Sequence, residues 1–144
     1  EIMPSLVGSE MCIRDSNVAI LTANEMVDPK VISTVDAAAL VEMVKNGELP
    51  ACTAEGPIAF DVAFDKHAAE HKGIDSKIAG EVDLLIFPNI EAGNIVGKSW
   101  LQFNGAKWAG IVLGAAAPVI LGSRSDTPEM KINSIALACL AATK

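Results

Sequence analysis

The stretch Val82-Asp83-Leu84-Leu85-Ile86-Phe87-Pro88-Asn89-Ile90-Glu91-Ala92-Gly93-Asn94 decides the fold. Its first six residues form a short apolar run suited to a buried strand, and Pro88 ends it. Asn89–Gly93 then reads as a loop opening a helix of about Asn94 to Asn104. A strand that runs through a loop into a helix is the unit of a parallel sheet.

The same alternation extends in both directions. Upstream, Val18-Ala19-Ile20-Leu21-Thr22 is a second buried-strand run. Ser33 or Thr34 is expected to cap a helix over Val35–Lys45, with Ala37, Leu40, Val41 and Val44 at helical spacing and Asn46-Gly47 as the stop. Gly56-Pro57 marks a turn, and a helix from about Asp61 ends at Gly73. Downstream, Ala109–Leu113 and Pro118–Leu121 read as two further strands. Thr127-Pro128 supplies an N-cap and a first-turn proline for a final helix running to about Ala142. Its expected apolar stripe is Ile132, Ile135, Ala136, Cys139 and Leu140. The fold class is therefore α/β, a three-layer αβα arrangement with a mainly parallel sheet. Residues 1–16 show no sustained period and are expected to be a non-native or disordered arm, with ordered structure starting at Asn17.

Composition narrows the function classes. The 144 residues are 51% hydrophobic and 20% charged, with a mean hydropathy of +0.37, which suits a globular chain with a core. Aromatics are 4% and Tyr is absent, so aliphatic side chains must build that core. A net charge of −7 argues against nucleic acid as a partner. The longest uncharged run, Trp108–Ser123, is too short to span a membrane and is read as buried strands. Cys12, Cys52 and Cys139 lie far apart with no CxxC, so neither a zinc site nor a disulfide framework is expected. Cys52 and Cys139 are read as packing residues, and free thiols suit the cytoplasm.

Two loops carry the candidate chemistry, because ligands of parallel sheets bind where strand ends feed loops. In the first, a helix N-terminus with unpaired N–H groups follows the strand, Gly93 permits close approach, Asn94 offers hydrogen bonds, and Lys98 adds a cation. The alternative is a well-capped turn with a solvated lysine. In the second, Gly122-Ser123-Arg124-Ser125-Asp126-Thr127, the Arg124 fork is placed to take phosphate oxygens in parallel hydrogen bonds. Ser123 can donate to a developing oxyanion or orient a thiol, and it has no nearby His that would make it an activated nucleophile. The alternative is an Asp126/Thr127 helix cap with Arg124 in a surface ion pair. Ala92-x-x-x-x-Gly97-Lys98-Ser99 fits a relaxed phosphate-loop pattern but lacks the first glycine and a later acidic strand end for magnesium. His67 and His71 lie four apart on a helix without HExxH or a third ligand, so no metal is assigned.

An ordered set of segments resembles the phosphate acetyl/butyryltransferase family. The segments are Gly56-Pro57-Ile58-Ala59-Phe60-Asp61, His71-Lys72-Gly73-Ile74, Ile78-Ala79-Gly80-Glu81-Val82-Asp83, Pro88–Asn94, Gly105-Ala106, Gly110, Pro118, Ser123-Arg124 and Asn133–Ala138. The form of Asn89-Ile90-Glu91-Ala92 is most like the butyryl branch, since the acetyl branch usually has Asp-Leu-Asn-Thr there. The likeness runs from about Asn17 to the C-terminus.

The resemblance implies reversible acyl transfer between coenzyme A and inorganic phosphate, through an acyl phosphate. CoA would be a substrate, with no permanently bound cofactor. The family's Ser-Arg pair maps onto Ser123 and Arg124, and Asn89, Glu91, Asn94, Lys98 and Asp126 are the expected substrate-binding positions. Full-length members form homo-oligomers from two αβα domains. By that resemblance residues 17–114 belong to the second domain and 115–144 return to the first, so the chain is the carboxy-terminal portion of a two-domain acyltransferase. The final helix is then expected to lack part of its packing surface.

Two departures stand out. The position seven after the Ser, an Asp in the acetyl branch that is thought to act as base, is Met130, which leaves the base unassigned. Gly97 stands where the family usually carries Tyr. Two other function classes remain open at this point: a non-catalytic fragment or binding module of the family, and a phosphate-loop nucleotide-binding protein.

Overall fold

A computed structural model describes residues 16–112 and 114–142. They form two compact units, 16–94 and 95–142. Cys12 and Leu113 lie outside the described residues.

The first unit is built on a three-stranded parallel sheet with the order β2-β1-β3. The strands are β1 (Asn17–Leu21), β2 (Thr53–Ile58) and β3 (Leu84–Ile86). Asn17 pairs with Thr53, and Val18 with Leu84. Side chains alternate across β1, so it feeds a core on each face. Val18 and Ile20 meet Ala37 and Val41 of helix α1 (Ile32–Lys45). Ala19 and Leu21 meet Ile58, Val62 and Ala63, Ala69 and Ile78 on the other face, which α2 (Phe60–Phe64) and α3 (Lys66–His71) cover. This is the three-layer α/β arrangement that the alternation of elements implies.

Several elements differ from the sequence reading, each for a local reason. Gly56-Pro57 is part of β2, not a turn, and its peptide bond is cis. β2 is an edge strand, where a proline leaves no gap in the ladder. The register slips between Ala19 and Leu21, so β2 accommodates an extra residue there. Gly56 lies so close to β1 that a Cβ would come within 2.8 Å of the Ile20 Cβ. The helix expected over 61–73 is broken at Asp65, whose extended backbone and side chain, accepting the His67 N–H at 2.8 Å, start α3. Helix α1 begins at Ile32, ahead of both expected caps. Thr34 is buried within its first turn, where its hydroxyl accepts the Asp28 N–H at 2.9 Å and donates to the Val31 carbonyl at 2.8 Å.

In the second unit, the two strands expected after Trp108 reduce, among the described residues, to one antiparallel bridge, Val112 with Val119. Trp108–Ser123 is therefore not a pair of buried strands, and Val119, Ile120 and Leu121 are exposed. Helix α5 (Pro128–Ala142) starts where Thr127-Pro128 predicts, with Thr127 Oγ1 accepting the Met130 N–H at 3.3 Å. Its buried residues are Ser134 and Ala138, not the expected apolar stripe, and Cys139 is exposed. Small side chains let the backbone come close. The Ser134 hydroxyl accepts the Gly110 N–H at 3.0 Å and donates to the Met130 carbonyl at 2.9 Å. No helix among the described residues is long and apolar enough to cross a membrane.

Candidate functional site

The first candidate loop is shorter than its sequence suggests. Helix α4 (Ile90–Asn104) begins directly after Asn89, so Ile90 to Gly93 form its first turn. Asn89 is the reason. Its Oδ1 accepts the Ala92 N–H at 2.9 Å, and its carbonyl accepts the Gly93 N–H at 3.2 Å. The Asn89 oxygen is thus engaged in capping, while its amide nitrogen remains able to donate. Glu91 stands in the first turn and Asn94 is the last residue of the first unit, both exposed. A Cβ on Gly93 would make only ordinary contact with the Phe87 ring, so no steric need for glycine exists there.

Lys98 belongs to the second unit, on the later part of α4, exposed and without an ion-pair partner among the described residues. The phosphate-loop look-alike is overturned at this point. Ala92 to Ser99 lies within continuous α-helix, whose N–H groups are directed along the axis and cannot cradle an anion mid-helix. Gly97 is buried under Trp108, and a Cβ there would meet the indole at 3.0 Å.

The second loop is a tight turn closed by its own polar groups. Asp126 Oδ2 accepts the Ser123 N–H at 2.7 Å, and the Ser123 carbonyl accepts the Asp126 N–H at 3.1 Å. The Ser123 and Ser125 hydroxyls are 3.0 Å apart. Arg124 is carried at the exposed corner of this turn and makes no ion pair among the described residues, so its fork is available to an anion. Thr127 caps the helix, as the capping alternative expects, whereas Asp126 closes the turn on Ser123 and the surface ion pair expected of Arg124 in that alternative is absent among the described residues. Met130, half-buried, has no proton-accepting group, and Glu129 pairs at 3.8 Å with Lys107, both exposed.

Sequence reading passed over a polar cluster at the end of the sheet where β1 and β2 finish. Lys72 Nζ lies 2.9 Å from Glu25 Oε1 and 2.9 Å from Asp61 Oδ2. The hydrogen bond from Lys72 holds the Asp61 carboxyl below the usual carboxylate range, and the same bond raises the lysine. Nearby in the chain, Thr22 donates to the Asn24 carbonyl, and the Asn24 side-chain oxygen is buried without a partner. The signal available in sequence was only that the segment following Leu21 opens at the same end of the sheet as Asn89. Among the described residues no group of three or more His, Cys, Asp or Glu is placed to hold a metal, and His67 instead lies 3.6 Å from Glu70. A depression of about 600 Å³ flanks the β2 edge between Lys45 and Lys77 and contains none of the candidate site residues. Burial raises the Cys52 thiol on its wall, so that thiol stays protonated and is a poor nucleophile.

Residues 5–139 match the sequence family described as phosphate acetyl/butaryl transferase. The chain belongs to this family. A phosphate butyryltransferase of Clostridium acetobutylicum is 44% identical over 136 residues, which are 94% of this chain and 45% of that protein. A phosphate acetyltransferase of Rhizobium meliloti is 43% identical over 130 residues, 90% of this chain and 41% of its own length. The crystal structure of a branched-chain phosphotransacylase from Enterococcus faecalis superposes with a TM-score of 0.80 at 32% identity, covering 96% of this chain and 49% of that one. This family member thus spans about half the length of the relatives it matches.

Proposed function

We propose that this chain carries part of a phosphate acyltransferase site that moves a short acyl group, butyryl or a similar chain, reversibly between CoA and inorganic phosphate. The observation that carries the reading is the Ser123–Asp126 turn, which presents an Arg fork without an ion-pair partner just ahead of a helix N-terminus in a chain of this family. In the thioester-forming direction the CoA thiolate sulfur attacks the acyl carbonyl carbon. The bond from that carbon to the phosphate oxygen then breaks, and inorganic phosphate leaves with the electron pair. Arg124 neutralises the phosphate in both ground and transition states, and Ser123 donates to the carbonyl oxygen as it gains charge, or orients the thiol. The thiol proton passes to a base that no matched residue supplies, because Met130 stands at that position. Asn89, Glu91, Asn94, Lys98 and Asp126 are assigned to holding substrate or shaping the loops that do.

The family resemblance and the chain's match to about half of each relative are the grounds for assigning residues 17–114 to a second domain and 115–144 to a first. We further propose that the full-length protein is a homo-oligomer acting in the cytoplasm, with CoA as substrate and no resident cofactor.

The test is CoA thioester formation by the purified chain from acetyl, propionyl and butyryl phosphate in parallel. Turnover that falls by about 100-fold or more in Arg124→Ala supports the assignment. Turnover indifferent to Arg124 would remove it. A folded chain that forms no thioester at all would be a non-catalytic portion of the family fold.

A further inference from the structure

β2 is an edge strand, and among the described residues no strand pairs with its outer side. The Thr53 N–H donates to the Ser16 carbonyl at 3.0 Å, so Thr53 turns its backbone groups toward β1. Alternation along the strand turns the N–H and carbonyl of Ala54 the other way, to the open edge. Such an edge is a template for a further extended chain.

The edge is recessed. A depression of about 600 Å³ runs along Thr53–Gly56 and has a wall on each face of the sheet. One wall is the C-terminal half of α1, with Val41, Val44 and Lys45, on the face where Cys52 and Ala54 pack against the core. The other is formed by Asp75 and Lys77. Glu55 fixes that wall, because its carboxylate accepts the Ser76 hydroxyl at 2.6 Å and the Lys77 N–H at 2.8 Å.

These walls restrict the occupant. A second copy that brings its own β2 brings the same two walls, and they meet before the strands reach the ~4.8 Å spacing of a ladder. A bare extended segment fits between them. It faces Thr53–Gly56, about 13 Å of strand at ~3.3 Å per residue. Its side chains directed at α1 meet Val41, Val44 and Cys52, which suit aliphatic groups. The alternate side chains meet the rim of Asp75 and Lys77. Lys77 has no ion-pair partner among the described residues, and Lys45 has an exposed contact with Glu42 at 3.5 Å. Glu55 is already engaged, so two lysines against the Asp75 carboxylate leave a local surplus of positive charge on a chain of net charge −7. That surplus selects acidic residues at the alternate positions.

We propose that the open edge of β2 is a docking groove for an extended peptide segment of another protein, alternating aliphatic and acidic residues, which adds to the three-stranded sheet beside β2. Docking there does not depend on acyl transfer.

The experiment titrates the ¹⁵N-labelled chain with the acetylated, amidated peptide Val-Glu-Val-Glu-Val-Glu and, separately, with Val-Lys-Val-Lys-Val-Lys. The acidic peptide is expected to shift the amides of Val44, Ala54 and Lys77 saturably and to slow hydrogen exchange at Ala54. The basic peptide is expected to bind about 10-fold more weakly. Lys77→Glu, an exposed change, should shrink that preference by about 5-fold, and Val44→Trp should fill the groove and abolish the shifts. Two further acidic peptides, N-methylated at the valines or at the glutamates, test the ladder directly. Only one of the two sets directs its N–H groups at β2, so one peptide should lose binding and the other keep it. No saturable shift with the acidic peptide, equal affinity for the basic one, or the same behaviour of both methylated peptides would overturn the groove. Shifts at Ala54 that grow with protein concentration and that the peptide does not displace would place a second copy there and overturn it equally.

Discussion

Ser123 and Asp126 hold each other from both sides: the Ser123 N–H donates to the Asp126 carboxylate at 2.7 Å, and the Asp126 N–H donates to the Ser123 carbonyl at 3.1 Å. Arg124 sits between them, so this closure holds the backbone that carries its side chain. Asp126→Ala removes one side. The Ser123 amide should then exchange with solvent faster, and kcat/KM for acyl transfer should fall by about 10-fold or more through misplacement of Arg124. Asp126→Asn keeps an acceptor oxygen and should retain most of both. Unchanged exchange in Asp126→Ala would mean that other contacts position the turn.

The Lys72 link to Glu25 and Asp61 gives stability a definite pH dependence. Asp61 is depressed in the folded chain, so its contribution is present above its unfolded value, about pH 4, and is lost as pH falls through the lower folded value. Lys72 is raised, so its contribution is present below about pH 10 and is lost as pH rises through the higher folded value. Lys72→Met should lower the melting temperature slightly between these limits and flatten both edges of the profile. Because the groups are exposed, high salt should shrink the difference between wild type and variant. A difference that is constant from pH 3 to pH 11, measured about every unit, would contradict the linkage.

Trp108 occupies the space above Gly97, the position at which the resemblance implies Tyr. Restoring the aromatic by Gly97→Tyr should therefore destabilise the chain by about 1–3 kcal/mol through overpacking. Trp108→Ala should absorb part of that cost, giving a coupling of about 1 kcal/mol in a double-mutant cycle of denaturant melts. Strict additivity would show that the two positions do not exchange an aromatic.

Gly56 offers a second steric test, on backbone instead of a ring. A Cβ there would fall 2.8 Å from the Ile20 Cβ and 3.0 Å from the Ile20 carbonyl oxygen, so β2 must move away from β1. Gly56→Ala should lower stability by about 1–3 kcal/mol in denaturant melts. An unchanged midpoint would show that the edge strand yields freely.

Exposed apolar residues should make the chain associate. Ile132 and Ile135, one turn apart on α5, are 64% and 53% exposed, and Leu121 is 82% exposed. Sedimentation velocity should show mass rising with concentration, and Ile132→Lys with Ile135→Lys should reduce that rise. A monomer at every concentration would oppose it.

Legibility in the sequence followed how local each determinant is. β1 and β3 announce themselves because each is a dense apolar run, and α5 because Thr127-Pro128 is a helix start in any context. β2 does not, because Thr53-Ala54-Glu55-Gly56-Pro57-Ile58 is an edge strand that buries fully only Ile58, and its Gly-Pro has turn chemistry in isolation. Only the approach of Ile20 explains the glycine. The buried side of α5 was hidden for a similar reason. Ser134 faces inward to meet the Gly110 N–H, a partner that no periodicity of apolar residues can reveal. In the second loop, residue types and order pointed to Ser123, Arg124 and Asp126. The bonds that join Ser123 to Asp126 needed coordinates. The groove along the open edge of β2 depends wholly on strand order and carries no motif.

β1 has a kinetic consequence. Asn17 must find Thr53 and Val18 must find Leu84, so every pairing of this sheet joins segments distant in the chain. No hairpin exists among its strands to serve as a local nucleus, and each ladder forms only after the entropy of closing a long loop is met. Helix α1 can gain its turns early and β1 can pair with β2, but the other edge of β1 stays unpaired until the segment ending at Ile86 is in place. The search of β1 for its two partners is therefore expected to limit the folding rate, with the most buried strand of the sheet uncovered meanwhile.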